Sequence, residues 1–163
     1  PYVDQMFYLL GKTYDKLQTF VPIQDYQIDY YKNKFLKYIN PGFIKCVTDE
    51  NDELVAFAIT MPSFSNALKK INGKVNFFGK LRLLHAKNFN HKGSLYLIGV
   101  RPDFQNKGVI AILFNELQKF YNKFGITEVE TNPELIENTA IQQLWKNYEN
   151  NQHKNRATFT KQI

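Results

Sequence analysis

The chain has 163 residues, 44% hydrophobic and 15% aromatic, with a net charge of +6. That apolar content suits one packed domain and excludes an intrinsically disordered chain, and the apolar runs are too short and interrupted to cross a bilayer as helices. The charge is local: residues 62–92, "PSFSNALKKINGKVNFFGKLRLLHAKNFNHK", carry seven basic side chains and no acid, against 14 basic and 15 acidic residues elsewhere, so basicity marks one segment and not the whole protein.

In chain order, Pro1 opens without a charged-then-apolar leader, so no secretory signal is expected, and a start without methionine points to a piece of a longer protein. Val3, Phe7, Leu10, Tyr14 and Leu17 recur at helical spacing and predict a helix over 3–18. "VPIQDYQIDYYKNKFLKYINPG" predicts a second, with Ile28, Phe35 and Ile39 on one face and Asn40-Pro41-Gly42 as its stop. "FIKCVT" and "LVAFAITM", joined by "DENDE", read as a β-hairpin. Cys46, the single cysteine, alternates as a strand residue and reads as a core thiol; it allows no internal disulfide and fits a reducing cytoplasm.

The basic segment predicts two short helices around Asn72-Gly73, and "SLYLIGV" reads as a buried strand with both faces apolar. Val109, Leu113, Leu117, Phe120 and Phe124 form the stripe of a long helix that Gly125 ends. "ITEVET" reads as a strand, "ENTAIQQLWKNY" as a helix opening near Asn138, and "RATFTK" as a last short strand. This order predicts one mixed α/β (α+β) domain over residues 1–163, a central sheet flanked by helices, with residues 62–93 as a basic helical insert.

Most familiar chemical motifs fail. Gly11-Lys12-Thr13 sits inside an amphipathic helix and lacks the upstream glycine of a nucleotide loop. His85, His91 and His153 lack metal-ligand spacing, so no metal is expected, and neither a G-x-S-x-G elbow nor a G-x-G-x-x-G turn is present. The turn at 105–110 survives. A helix that starts just after a buried strand offers unpaired N–H groups and the positive end of its dipole. Gly108 would let an anion approach that backbone closely, and Lys107 adds charge beside it.

"IGVRPDFQNKGVIAIL" resembles the signature of the GNAT superfamily of N-acetyltransferases, a strand ending in a V-x-P turn followed by Q/R-x-x-G-x-G/A opening a long helix. Val100, Pro102, Gln105, Asn106, Lys107, Gly108 and Val109 stand in the right order, with Ile110 where Gly or Ala is usual. "EVETNPELIENTAIQQLWKNY" resembles the family's next strand and helix, so the likeness runs from about Cys46 to the C-terminus. "MPSFSNALKKINGK", "GKLRLL" and "GVRPDFQNKGV" together resemble the C-terminal half of uncharacterised bacterial tandem-GNAT proteins, which implies pairing with an N-terminal GNAT-like half.

The resemblance implies the GNAT fold with acetyl-CoA, or another acyl-CoA, as co-substrate. Its pyrophosphate would rest on the 105–110 loop and its pantetheine along Ile98, Gly99 and Val100, with Asn138 near it. An unidentified small-molecule or peptide amine would attack the thioester. Trp145 holds the place of the tyrosine that protonates the departing thiolate in many relatives, and Tyr148, about one turn later, is the alternative acid. Glu130 is the nearest candidate base by order, with Glu128 on the same strand face.

The insert reads as a solvated lid or as a surface for an anion: an acidic acceptor, the CoA phosphates or a membrane. Nucleic acid is not expected as a partner. Three functions stay open: an N-acyltransferase, a non-catalytic GNAT-like scaffold or CoA-binding half, and a membrane-peripheral module.

Overall fold

The computed structural model describes residues 2–14, 21–34, 36, 39–159 and 161. By its contacts the chain forms two compact units, residues 1–130 and 131–163. The first is built on "LVAFAITMP", a run of β-favouring residues buried on both faces, which forms the central strand β2 (Leu54–Pro62). β1 (Ile44–Thr48) pairs with it antiparallel, as the hairpin signature predicts. β3 (Lys92–Val100) pairs antiparallel along its other edge, and β4 (Glu128–Thr131) completes a four-stranded sheet in the order β1-β2-β3-β4. Helix α5 (Val109–Phe124) carries the chain from β3 to its neighbour β4, a crossover that makes the sheet mixed.

Helices cover this sheet. α1 (Val3–Tyr14) buries Met6, Leu9 and Leu10 against Leu54, Phe57 and Ile59. α2 (Asp25–Lys34) buries no side chain and is held to α1 by a Lys32–Asp4 ion pair and by Phe7 stacked on Tyr31. α5 packs on β1 and β2. Ile59 joins the α1 core while the next residue, Thr60, lies beside Tyr121 of α5, so the two helices sit on opposite faces. The Thr60 hydroxyl, fully buried, donates to the Phe43 carbonyl at 2.9 Å. Half-buried in β1, Cys46 packs against the α1 core, and burial pushes its thiol up.

Several expectations change in detail. The first helix is described to Tyr14, and the expected continuation over 15–18 lies outside the described residues, as does Phe35 of the second. The α5 stripe buries Val109, Leu113 and Leu117 as expected, but Tyr121 completes it. Phe120 instead meets Phe43 edge to face and Phe124 meets it tilted, at ring distances of 4.8 and 5.8 Å, where the 3₁₀ turn Pro41–Phe43 leads into β1. The basic segment forms α3 (Ser65–Lys70) and α4 (Phe77–Asn88), with Asn72 and Gly73 between them at positive φ.

In the second unit α6 spans Thr139–Trp145. "RATFTK" is not a strand: residues 156–159 and 161 have no regular structure, and Thr160 lies outside the described residues. Phe159 is exposed there, so the alternating pattern has no sheet face to cover.

Candidate functional site

The site begins where β3 loses its regular register. Ile59 pairs with Leu97 but Thr60 with Leu95, so Tyr96 is left over as a bulge and turned partly to solvent. β4 starts opposite His91, whose carbonyl accepts from the N–H groups of Thr127 and Glu128, and is four residues long against nine for β3. The C-terminal part of β3 therefore outruns it.

Here Gly99 pairs with Phe57, and the N–H of Arg101 donates to the Val55 carbonyl at 2.8 Å. Residues 99 and 101 thus face β2, and by alternation the peptide groups of Ile98 and Val100 face the opposite edge. Their carbonyls are occupied from α1: the Tyr14 hydroxyl donates to Ile98 O at 3.1 Å and the Thr13 hydroxyl to Val100 O at 3.3 Å. Gln105 Nε2 also donates to Val100 O, at 3.4 Å. Gly99 is small for a reason inside the protein: a Cβ there would stand 2.6 Å from Cε1 of Phe57.

Past the strand, Arg101 anchors the turn. Its guanidinium donates to Asp103 at 2.9 Å, to Asp49 at 3.2 Å and to Glu53 at 3.3 Å, tying the β1–β2 hairpin loop to the end of β3. Burial alone would raise the Asp49 carboxyl, but the N–H groups of Glu53 and Asn51, together with Arg101, hold it below its ordinary value. The Arg101 guanidinium and the Lys107 ammonium both lie over the Phe104 ring, at 4.5 and 5.3 Å from its centroid.

The loop then turns through two left-handed residues, Asn106 (φ 60°) and Gly108 (φ 76°), the latter being the N-cap of α5 without a side-chain cap. The first helical hydrogen bonds run from the N–H groups of Ala111 and Ile112 to Gly108 O. Among the described residues nothing accepts from the N–H groups of Asn106, Gly108, Val109 or Ile110. Four donors, the start of a 16-residue helix and Lys107 make a cradle suited to a phosphate. A Cβ on Gly108 would meet nothing within 4 Å, so the backbone lies open to an incoming group. Ile110 is half-buried and leaves Gly108 uncovered on that side.

Glu128 and Glu130 share a face of β4 but differ in surroundings: Glu128 is exposed and paired with Lys92, while Glu130 is half-buried. In the second unit Asn138 caps the start of α6 without a side-chain cap bond. The Trp145 indole N–H donates to Glu134 at 2.8 Å, and Tyr148, partly exposed, meets the Trp145 ring edge to face at 6.3 Å. The structure thus gathers Ile98, Gly99, Val100 and residues 105–110 at one end of the sheet, with Glu130 on the neighbouring strand, and places Asn138, Trp145 and Tyr148 together in the second unit.

Sequence reasoning missed Thr13, Tyr14 and Arg101. Tyr14 reads as one more apolar-stripe residue of its helix, and two of the three partners of Arg101 lie some fifty positions away in a hairpin loop. No spacing rule joins either to the loop. Among the described residues no three of His, Cys, Asp and Glu gather as metal ligands would, and no helix is long and apolar enough to cross a membrane.

The sequence profile of the acetyltransferase (GNAT) family matches residues 10–148. No curated protein matches the sequence. Among solved structures, an aminoglycoside acetyltransferase, meta-AAC0020, from an uncultured soil metagenomic sample, in complex with sisomicin, has a TM-score of 0.59 at 12% identity, over 100% of this chain and 89% of its own. AAC(6')-Iy, in complex with the bisubstrate analog CoA-S-monomethyl-acetylneamine, has 0.58 at 14%, over 99% and 92%. A ribosomal-protein-alanine N-acetyltransferase from Brucella melitensis biovar Abortus 2308 has 0.58 at 12%, over 98% and 92%. At these identities the likeness is one of fold.

Proposed function

We propose that this chain, which belongs to the acetyltransferase (GNAT) family, binds acetyl-CoA or another acyl-CoA at the 98–110 edge and transfers the acyl group to an amine. The observation that carries this reading is the cradle of four unpaired N–H groups at Asn106, Gly108, Val109 and Ile110. They would hold the pyrophosphate, with Lys107 beside it. The outward N–H groups of Ile98 and Val100 would take the amide carbonyls of the pantetheine arm, as an added strand takes a sheet edge. The bound CoA supplies an activated acyl thioester.

The remaining work falls to side chains. An amine arrives as an ammonium and must lose a proton before it attacks; half-buried Glu130, beside β3, is the group proposed to accept it. Tyr14, whose hydroxyl sits on Ile98 O, would orient the strand edge against the thioester. Tyr148 is the proposed proton donor to the departing thiolate, because the Trp145 N–H at the family's acid position is taken by Glu134. An aminoglycoside and a ribosomal-protein alanine are the acceptors named for two of the structural neighbours, and the acceptor class proposed here is accordingly a small-molecule or peptide amine. The lone thiol of Cys46 suits a cytoplasmic setting.

Calorimetric titration with acetyl-CoA tests the reading. Micromolar binding that falls at least about tenfold in Gly108→Glu, which sets a carboxylate at the cradle, and less in Gly108→Asn, whose neutral side chain tolerates positive φ, is the expected result. No heat at millimolar acetyl-CoA with the folded wild-type protein would refute it. A second reading, a CoA-binding scaffold without catalysis, is favoured by the engaged Trp145 N–H. Tight binding without thiol release across an amine panel would select it.

A further inference from the structure

Helix α4 presents the wrong face to its own protein. Gly79 is buried, with Ala86 and Leu83 half-buried, so a narrow and mostly small face packs inward. The large apolar side chains point out: Phe77 is 70% exposed, Phe78 73% and Leu84 55%, and Phe89, just past the helix, 72%. At 3.6 residues per turn Phe77, Phe78, Leu81 and Leu84 fall within an arc of about 120°. Lys80 and Lys87 follow on one flank of that arc and Arg82 on the other. Leu68 on α3 and Val75 in the connecting turn are exposed as well.

A folded protein gains nothing by leaving this surface in water, since each such side chain is stabilised by burial. The flanking charges say what covers it. Seven basic residues lie between positions 62 and 92 without one acid. A second copy of the same face would set this charge against itself, and a nucleic acid backbone would leave the phenylalanines and leucines wet. The surface is a convex helix and not a groove, so it offers no slot for a peptide. A plane that is apolar beneath and anionic above satisfies both parts of the pattern. Twelve residues of helix span about 18 Å, too short to cross a hydrocarbon core of about 30 Å; the helix would lie along the surface, aromatic side chains down and lysines reaching up to headgroups.

We infer that the α3–α4 segment is a peripheral docking surface for anionic lipid membranes. The inference is independent of acyl transfer and stands or falls separately from it. The test is co-sedimentation of the full chain with vesicles of equal parts phosphatidylglycerol and phosphatidylcholine, against vesicles of phosphatidylcholine alone. Binding is expected to the anionic vesicles, weakening as salt shortens the screening length toward about 3 Å at 1 M. Phe77→Ser/Phe78→Ser, which keeps the charge, should lower partitioning about tenfold or more. Lys74→Glu/Lys80→Glu, which keeps the apolar face, should lower it by about fivefold for each charge removed. All four positions are exposed, and an unchanged far-ultraviolet circular dichroism spectrum verifies that each variant folds.

Absence of sedimentation with anionic vesicles, or equal sedimentation of the wild type and both variants, would overturn the inference. A dimer by light scattering that Phe77→Ser/Phe78→Ser converts to monomer, in a protein that ignores vesicles, would overturn it in favour of a second copy on this face.

Discussion

Gly99→Ala asks whether the smallness of this strand residue serves a ligand or the core. The added methyl would stand 2.6 Å from Cε1 of Phe57 and 3.3 Å from both Cδ1 and Cζ. Ordinary carbon contacts lie near 3.5–4.0 Å, so the ring must move by about an ångström. It has nowhere to go, because Phe57 is fully buried among Met6, Leu9, Leu10, Leu54 and Ile59. Overpacking of this kind costs about 1–3 kcal/mol, offset by about 0.4–1 kcal/mol from the loss of glycine's freedom in the unfolded chain. The two ranges combine to a net destabilisation between about 0 and about 2.6 kcal/mol, centred near about 1.3 kcal/mol or about 3–5 °C in Tm for a chain of this size. Thermal unfolding followed by circular dichroism reads it. Repeating the substitution in a Phe57→Leu background should recover about 1 kcal/mol, since the shorter side chain vacates the contact. Additive losses in that cycle, to within about 0.5 kcal/mol, would refute the steric argument and return Gly99 to a role in ligand approach alone.

Two further outcomes follow from the surroundings of the loop. Asp49 is held below its ordinary value of 3.8, so its contribution is complete above that value and is lost as pH falls through the lower folded one. Urea midpoints of Asp49→Asn should therefore lie below wild type at pH 6, with the gap narrowing as pH falls below 3.8; a gap that does not narrow would remove the carboxylate from the explanation. Tyr14→Phe deletes the proton that caps Ile98 O and is expected to lower Tm by about 1–6 °C, the cost of one intramolecular hydrogen bond in a chain of this size, and to weaken acetyl-CoA binding through the loosened strand edge, read by calorimetric titration. Unchanged affinity would show that the capped carbonyl has no part in setting the strand edge.

What the sequence makes legible is the material of short-range physics. α5 follows from its apolar spacing and from Gly125, which indeed closes it in the left-handed region. The sharp turn at 106–108 is carried by an asparagine and a glycine, the residue types that tolerate positive φ. Helical angle puts Phe120 and Phe124 on the apolar stripe, and the angle is right. What takes them to the rim is that Phe43 and the Lys45 ammonium lie beside Phe120 at that end of α5, and periodicity has no knowledge of what lies beneath a face.

The same limit hides Tyr14, Thr13 and Arg101, each defined by partners on distant elements. Glu128 and Glu130 look equivalent by alternation, yet Glu128 is exposed and paired with Lys92 while Glu130 is half-buried. The final strand fails because alternation in "RATFTK" signals a ladder only when a neighbouring strand exists to accept it.

The carbonyls of Ile98 and Val100 bear on which strangers the sheet can admit. An uncovered strand edge offers alternating donors and acceptors, and any extended segment, including one from a second molecule, can continue the sheet there. With hydroxyls from Thr13 and Tyr14 already seated on two acceptors, the stretch of β3 that outruns β4 speaks only half of that language. A generic polypeptide has to share these acceptors with the hydroxyls already on them, which makes the edge less hospitable. A ligand that brings acceptors and asks for few in return does not, and one helix end thereby guards against runaway sheet growth while keeping a doorway of a particular chemical shape.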